Sequence, residues 1–373
     1  MKKSTFFLLS LEGALLSFNV AATAALVPAI ARDLAVEPFI AGRIIWFYML
    51  PYGIAALLYG PLVRAFDAKK VELVCILLFS LSNILAGCAK NINTLFAARF
   101  LMGVFGASVI PLGLILISKH IEDIKRGKSI GIFFGSTFVA SLLGLFLSGI
   151  IDWRQIYLIP GYAGLVLFVF LWIYLPNFKQ EKNKFRLNYA AAFKNRKVFS
   201  IFGYIFIISI LYHGLQQWLG VYFSRELGLN QFLISMLITL TSLSGVFGEV
   251  VGGWLSDSVG RINTATYGIL LMIASVLLLL FRLPPAMLAV IMVVWGLGWT
   301  FNHAALSTML TDLPEHFLHE AASLNSGVRF ISGGIGTALS GLVMQKSFSL
   351  GFIVLGISLI LLTISSKKLL SVK

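Results

Sequence analysis

Apolar runs of membrane-spanning length follow one another along this chain from end to end, separated only by short polar turns. A run of about 18 or more such residues crosses the roughly 30 Å hydrocarbon core as a helix. Lipid offers the backbone no hydrogen bonds, so a spanning segment has to satisfy its own and becomes helical. Outer-membrane barrels read instead as short alternating segments, a pattern this chain lacks. The expected fold is therefore an all-α polytopic membrane protein. Composition agrees: 12% of the residues are charged, against roughly 25% in a soluble domain.

The runs resolve into twelve spans, the seventh over 198–222 and the eleventh over 321–345. Placing the amino terminus in the cytoplasm puts about 20 of the 29 Lys and Arg in cytoplasmic segments, which is the positive-inside bias. Both termini are then cytoplasmic, in a cell inner membrane. The expected domains are a six-helix bundle over 1–175, a basic cytoplasmic linker over 176–197, and a second bundle over 198–373. The linker carries seven basic residues and one acidic; it either touches anionic lipid headgroups or serves only to orient the chain. The net charge of +14 sits mostly in these loops, so nucleic acid is not an expected partner. Met1-Lys2-Lys3 with its apolar stretch mimics a secretory signal, but Glu12 interrupts it and it runs on to Ile30, so it is read as the first span. Cys75 and Cys88 read as buried structural thiols, with no disulfide or metal framework.

A loop motif appears twice. Gly253-Trp254-Leu255-Ser256-Asp257-Ser258-Val259-Gly260-Arg261 closes one apolar run and opens the next, and an altered copy runs from Gly60 to Lys70, 193 residues earlier. Shifts of 192–193 residues also place Gly103 on Gly296, and Gly135, Gly144, Ser148 and Gly149 on Gly327, Gly336, Ser340 and Gly341. Glycines at such spacings let membrane helices approach closely. The set at one offset, between helices of the same rank, indicates six helices repeated.

Gly253 to Arg261 fits the pattern G-x-L-x-D-x-x-G-R without a gap, Arg99 to Gly103 fits R-x-x-x-G, and Asp152 to Tyr157 carries a Trp-Arg pair. In these features the chain resembles the major facilitator superfamily, nearest in style to its twelve-helix drug:proton antiporters. The resemblance implies two six-helix bundles that alternate access around a site near the midplane. It implies a gating role for Gly253, Asp257, Gly260 and Arg261, and places Arg99 and the polar run in helix seven on a central cavity. Three departures stand out. Asn19 occupies the position of the family's helix-one acid. Leu145 and Ser148 replace a proline and a glycine of the antiporter fifth helix. Arg64 stands where the first motif carries aspartate, so pairing with Glu320 or Glu315 would reverse the polarity of that gate; drift in a tolerant loop is the alternative.

Charges in lipid are expensive, by at least ~2.5 kcal/mol on insertion scales, and normally face a cavity or one another. At a rise of about 1.5 Å per residue, Glu12, Glu249, His303 and Arg329 fall in the inner third of the membrane. Asn19, Arg99 and His213 fall in the outer half, which makes two polar layers. Glu12, His303 and Glu249 are the candidate proton-coupling groups. For Glu12 the alternative is a carboxylate reaching headgroup water, for Glu249 a salt bridge with Arg329, and for His303 a bond to a neighbouring helix. Asn19, Arg99, His213, Gln216, Gln217, Asn302 and Trp299 are the candidate substrate contacts. Arg99 without an acidic partner would suit an anion, or would bond helix ends and Asn19.

The function these features support is proton-coupled efflux of a small amphipathic or drug-like compound by a monomeric secondary transporter. Uptake or facilitated movement of a polar or anionic metabolite is the alternative. A membrane enzyme would have to use Asp312, Glu315, His316, His319 and Glu320, which lack the HExxH spacing and sit in a loop too short for a catalytic domain. A non-transporting sensor remains as a third class. No cofactor is implied beyond the proton gradient, and the expected partners are the small-molecule substrate, protons and membrane lipid.

Overall fold

The structure, a computed structural model, describes residues 3–120, 123–176, 189–312 and 315–371. It divides into two compact units, Met1–Leu187 and Asn188–Lys373. The first contains α1 (Lys3–Asp33), α2 (Pro38–Ala41), α3 (Arg43–Ala65), α4 (Ala68–Gly87), α5 (Ile92–Gly106), α6 (Val109–His120), α7 (Asp123–Leu147) and α8 (Trp153–Tyr174). The second contains α9 (Tyr189–Lys194), α10 (Arg196–Gln216), α11 (Leu219–Arg225), α12 (Gln231–Ser258), α13 (Arg261–Leu278), α14 (Pro285–Thr311), α15 (Glu315–Met344) and α16 (Phe348–Leu370). Among the described residues there is no strand, and 12 helical segments are long and apolar enough to cross a membrane.

Short polar residues start the helices. Asp67 accepts from the backbone N–H groups of Lys69 and Lys70, Asn91 from that of Thr94, Asn195 from those of Lys197 and Val198, and Asn230 from that of Leu233. Each satisfies donors that the first helical turn leaves unpaired. Asp152 caps α8 in the same way, and the residues behind it tie three helices together. Arg154 pairs with Asp33 at 2.6 Å and donates to the carbonyl of Ala89 at 2.6 Å, while Trp153 donates to Asp33 at 3.2 Å.

The repeat extends to helix pairing. In the first unit α1 packs on α7 and α8, α3 on α5, and α4 on α5 and α8; in the second, α10 packs on α15 and α16, α12 on α14, and α13 on α14 and α16. Two glycine contacts recur atom for atom. A Cβ at Gly144 would overlap the carbonyl of Phe18, and one at Gly336 that of Ile210; one at Gly103 would overlap the carbonyl of Tyr48, and one at Gly296 that of Thr241. Helix backbones approach that closely only where a side chain is missing. Gly135 differs, since a Cβ there would meet open space.

Other details depart from the sequence expectations. The seventh span breaks at Gln217 and Trp218 into α10 and α11. There Trp218 donates its indole N–H to the Thr337 carbonyl and lies against Gly341. Its counterpart α1 runs unbroken from Lys3 to Asp33. The short α9 falls in the stretch read as a linker and packs on α10 and α15. Cys75 is buried as expected, whereas Cys88 is exposed because it caps the end of α4.

Candidate functional site

Each unit gathers its own polar residues. In the first, α1 carries Glu12 and α4 carries Glu72, and the two carboxyls face each other closely enough to interact directly. Their residues are 1% and 0% exposed. None of the four oxygens meets a well-formed hydrogen-bond partner, and no ion pair reaches either group among the described residues. One turn along α4, Cys75 donates to the Tyr59 hydroxyl at 3.3 Å, and Tyr59 donates to the Val104 carbonyl at 3.0 Å. Glu12, Glu72, Cys75 and Tyr59 thus form a polar cluster shared by α1, α3 and α4. Glu72 was not singled out from sequence, because it follows Lys69 and Lys70 and reads as a residue at headgroup level. Its helical face holds the signal: Glu72, Cys75, Phe79 and Asn83 lie along one buried stripe.

Further along the same two helices, Asn19 donates to Asn83, and Thr23 donates to the Asn19 carbonyl at 2.8 Å. Asn19 thus sits in a neutral amide pair. Arg99 does not bond to it. Instead its Nε donates to the Ile44 carbonyl at 3.2 Å, and its guanidinium lies over Tyr48 at 4.4 Å and Tyr157 at 5.8 Å from the ring centroids. Both residues are buried among the helices of their own unit.

In the second unit the ionisable groups surround Trp299. Three rings form a near-parallel column: Tyr212 stacks on Trp295 at 5.4 Å and 15°, and on Trp299 at 4.0 Å and 12°. Trp295 is buried and donates to Gln216 at 2.9 Å, whereas Trp299 is partly exposed. His213 lies edge-on to Trp299 at 5.7 Å and contacts Gln217 at 3.3 Å; His303 lies 6.3 Å from the same ring. Arg329 sits over Trp299 at 5.6 Å and donates through Nε to Asn325 at 2.8 Å. Trp299 therefore joins residues that depth alone assigned to separate layers.

The salt bridge weighed between Glu249 and Arg329 is not formed. Glu249 pairs with His303 at 2.7 Å, and Nη1 and Nη2 of Arg329 have no hydrogen-bond partner among the described residues. Facing rotamers on α12 and α14, which sequence cannot fix, decide this choice. Asn302 is spent inside the unit, accepting from Tyr204 at 2.9 Å and donating to the Gly298 carbonyl at 3.1 Å. Gln216 is likewise engaged by Trp295. The structure thus brings His213, Gln217, Trp299, His303 and Glu249 of the expected residues together with Arg329, and adds Tyr212 and Asn325, whose places depend on helix rotation.

The loop motif opens α13. Gly260 adopts φ +91°, a left-handed conformation suited to glycine, and Arg261 pairs with Asp312 at the end of α14. Asp257 is exposed beside them. With Lys197 and Lys367 these residues line a cavity of about 710 Å³. The side chains of Arg64, Glu315 and Glu320 lie outside the described residues, as do those of His316 and His319.

Twelve apolar helices in two repeated bundles, each enclosing ionisable groups, define a membrane carrier rather than an enzyme. The chain belongs to the Major Facilitator Superfamily, whose family model matches residues 9–337. It is 23% identical over 323 residues to YbcL of Bacillus subtilis (strain 168), an uncharacterised MFS-type transporter, covering 85% of this chain and 83% of that one. It is 22% identical over 367 residues to Multidrug resistance protein 3 of the same organism, covering 81% and 72%. Among solved structures it is similar to the nucleoside transporter NupG, with a TM-score of 0.78 at 15% identity and full coverage of both chains. A likeness at that identity speaks to the fold alone.

Proposed function

We propose that this secondary transporter exports a small amphipathic compound in exchange for protons. What carries the proposal is the Glu12–Glu72 pair: two buried carboxyls, face to face, with no cation or well-formed donor beside them among the described residues. Two negative charges so placed in a dry interior repel strongly. The pair accordingly holds a proton when closed and gives it up when rearrangement admits water. Ionisable groups inside a membrane commonly serve as proton relays for this reason. Coupling would then run through Glu12, two turns from the neutral Asn19 that replaces the family's acid.

Export is favoured by the likeness to a protein named for multidrug resistance. The half-exposed Glu249–His303 pair is a second proton-handling candidate, and Arg64 with Glu320 a gate of reversed polarity opposite the intact Asp257–Arg261 copy. The protein is proposed to act as a monomer in the cytoplasmic membrane, both termini inside, with its basic 176–197 segment against anionic lipid.

The test is accumulation of a lipophilic fluorescent dye by proteoliposomes under an imposed pH gradient. Wild type should accumulate dye against its gradient, while Glu12→Gln should lose that ability yet still exchange dye without a pH gradient. Wild-type accumulation by Glu12→Gln would overturn the coupling role.

A further inference from the structure

We propose that Arg329 and Trp299 form a recognition subsite for the planar, anionic end of the substrate, an aromatic carboxylate being its simplest form. The proposal rests on the transporter reading above and names the class of compound carried. Arg329 is 8% exposed, and its Nη1 and Nη2 are buried without an acceptor among the described residues. A buried guanidinium left in that state is costly, because desolvation is not offset by hydrogen bonds. Glu249, an acidic neighbour within electrostatic reach, is held instead by His303 at 2.7 Å. An arriving carboxylate would meet the guanidinium fork, whose two parallel N–H groups match its two oxygens.

The aromatic column defines the rest of the ligand. Trp295, Tyr212 and Trp299 stack within 15° of parallel from one pair to the next, and the column begins at a buried ring and ends at a partly exposed one. A flat ring laid against Trp299 would extend the stack, a geometry aromatic pairs favour. His213, edge-on to Trp299 at 5.7 Å, would border it. Charge and plane together select an aromatic anion over a neutral or cationic compound of the same shape.

Equilibrium binding to the purified full-length protein in lipid nanodiscs tests this with three probes of nearly one shape: 1-naphthoate, 1-naphthamide and 1-naphthylmethylammonium. Wild type should bind naphthoate saturably, bind the amide at least about tenfold more weakly, as a lost charge-assisted contact implies, and not bind the cation. Arg329→Gln should level acid and amide, and Trp299→Leu should weaken both in parallel. If the glutamine variant does not fold, Arg329→Lys keeps the charge and should keep the preference for the acid. Failure of naphthoate to bind wild type, equal binding of acid and amide, persistence of the preference in Arg329→Gln, or its loss in Arg329→Lys would each overturn the assignment. Binding at equilibrium needs no proton gradient, so these outcomes leave coupling at Glu12 to be judged by flux.

Discussion

At one level of the first unit Glu12 faces Glu72; at the matching level of the second stand Tyr204, which donates to Asn302 at 2.9 Å, and Ala265. Backbone contacts, Gly144 on Phe18 and Gly336 on Ile210, match Glu12 to Tyr204, and the 193-residue offset of the loop motif matches Glu72 to Ala265, so the scaffold is common to both units while its polar content is not. A phenol bonded to an amide is satisfied as a neutral pair, whereas two facing carboxyls are satisfied only by a proton. Conversely, in the second unit the buried Arg329 and the half-exposed Glu249–His303 pair gather around a ring column for which no parallel is found in the first among the described residues. Helix packing is thus what the repeat preserves, and the division of labour proposed here, coupling in one unit and recognition in the other, lies in side chains the packing does not require.

The largest expected effect falls on the pair itself. Glu12→Gln or Glu72→Gln should lower pH-driven accumulation by up to about a hundredfold, the upper range of coupling energies between sites. Tyr204→Phe, the matching change in the second unit, should leave accumulation intact. Equal loss in both would break the contrast.

Next come the shared contacts. Gly144→Ala and Gly336→Ala should each destabilise by roughly 1–3 kcal/mol or more through overlap with a backbone carbonyl, whereas Gly135→Ala should be neutral. Thermal unfolding in detergent reads all three. Gln216→Leu should cost about 1–3 kcal/mol by leaving the Trp295 indole N–H unpaired, again as a lowered midpoint. Smallest of all, Glu249→Gln weakens the half-exposed Glu249–His303 contact and should change stability by no more than about 1 kcal/mol.

The spans and the repeat were legible because lipid imposes them on every stretch of sequence. Gly144 and Gly336 could be matched by offset alone, and their contacts proved equivalent. Gly135 belonged to the same matched set yet faces open space, because identity at an offset does not reveal which side of a helix meets a neighbour. Glu12 and the group around Trp299 were visible as polar residues in apolar surroundings. Glu72 was hidden by its nearness to Lys69 and Lys70, although its burial follows from the helical stripe it shares with Phe79 and Asn83. The choice of Glu249 for His303 over Arg329 depends on rotation of α12, α14 and α15, and no residue pattern encodes that.

The most direct measurement is the infrared spectrum of the purified protein in lipid at neutral pH, in the region of the carbonyl stretch of a protonated carboxylic acid. Wild type should show such a band from the Glu12–Glu72 pair, and the double variant Glu12→Gln with Glu72→Gln should lack it. A wild-type spectrum that coincides with that of the double variant would contradict the shared proton on which the coupling role depends.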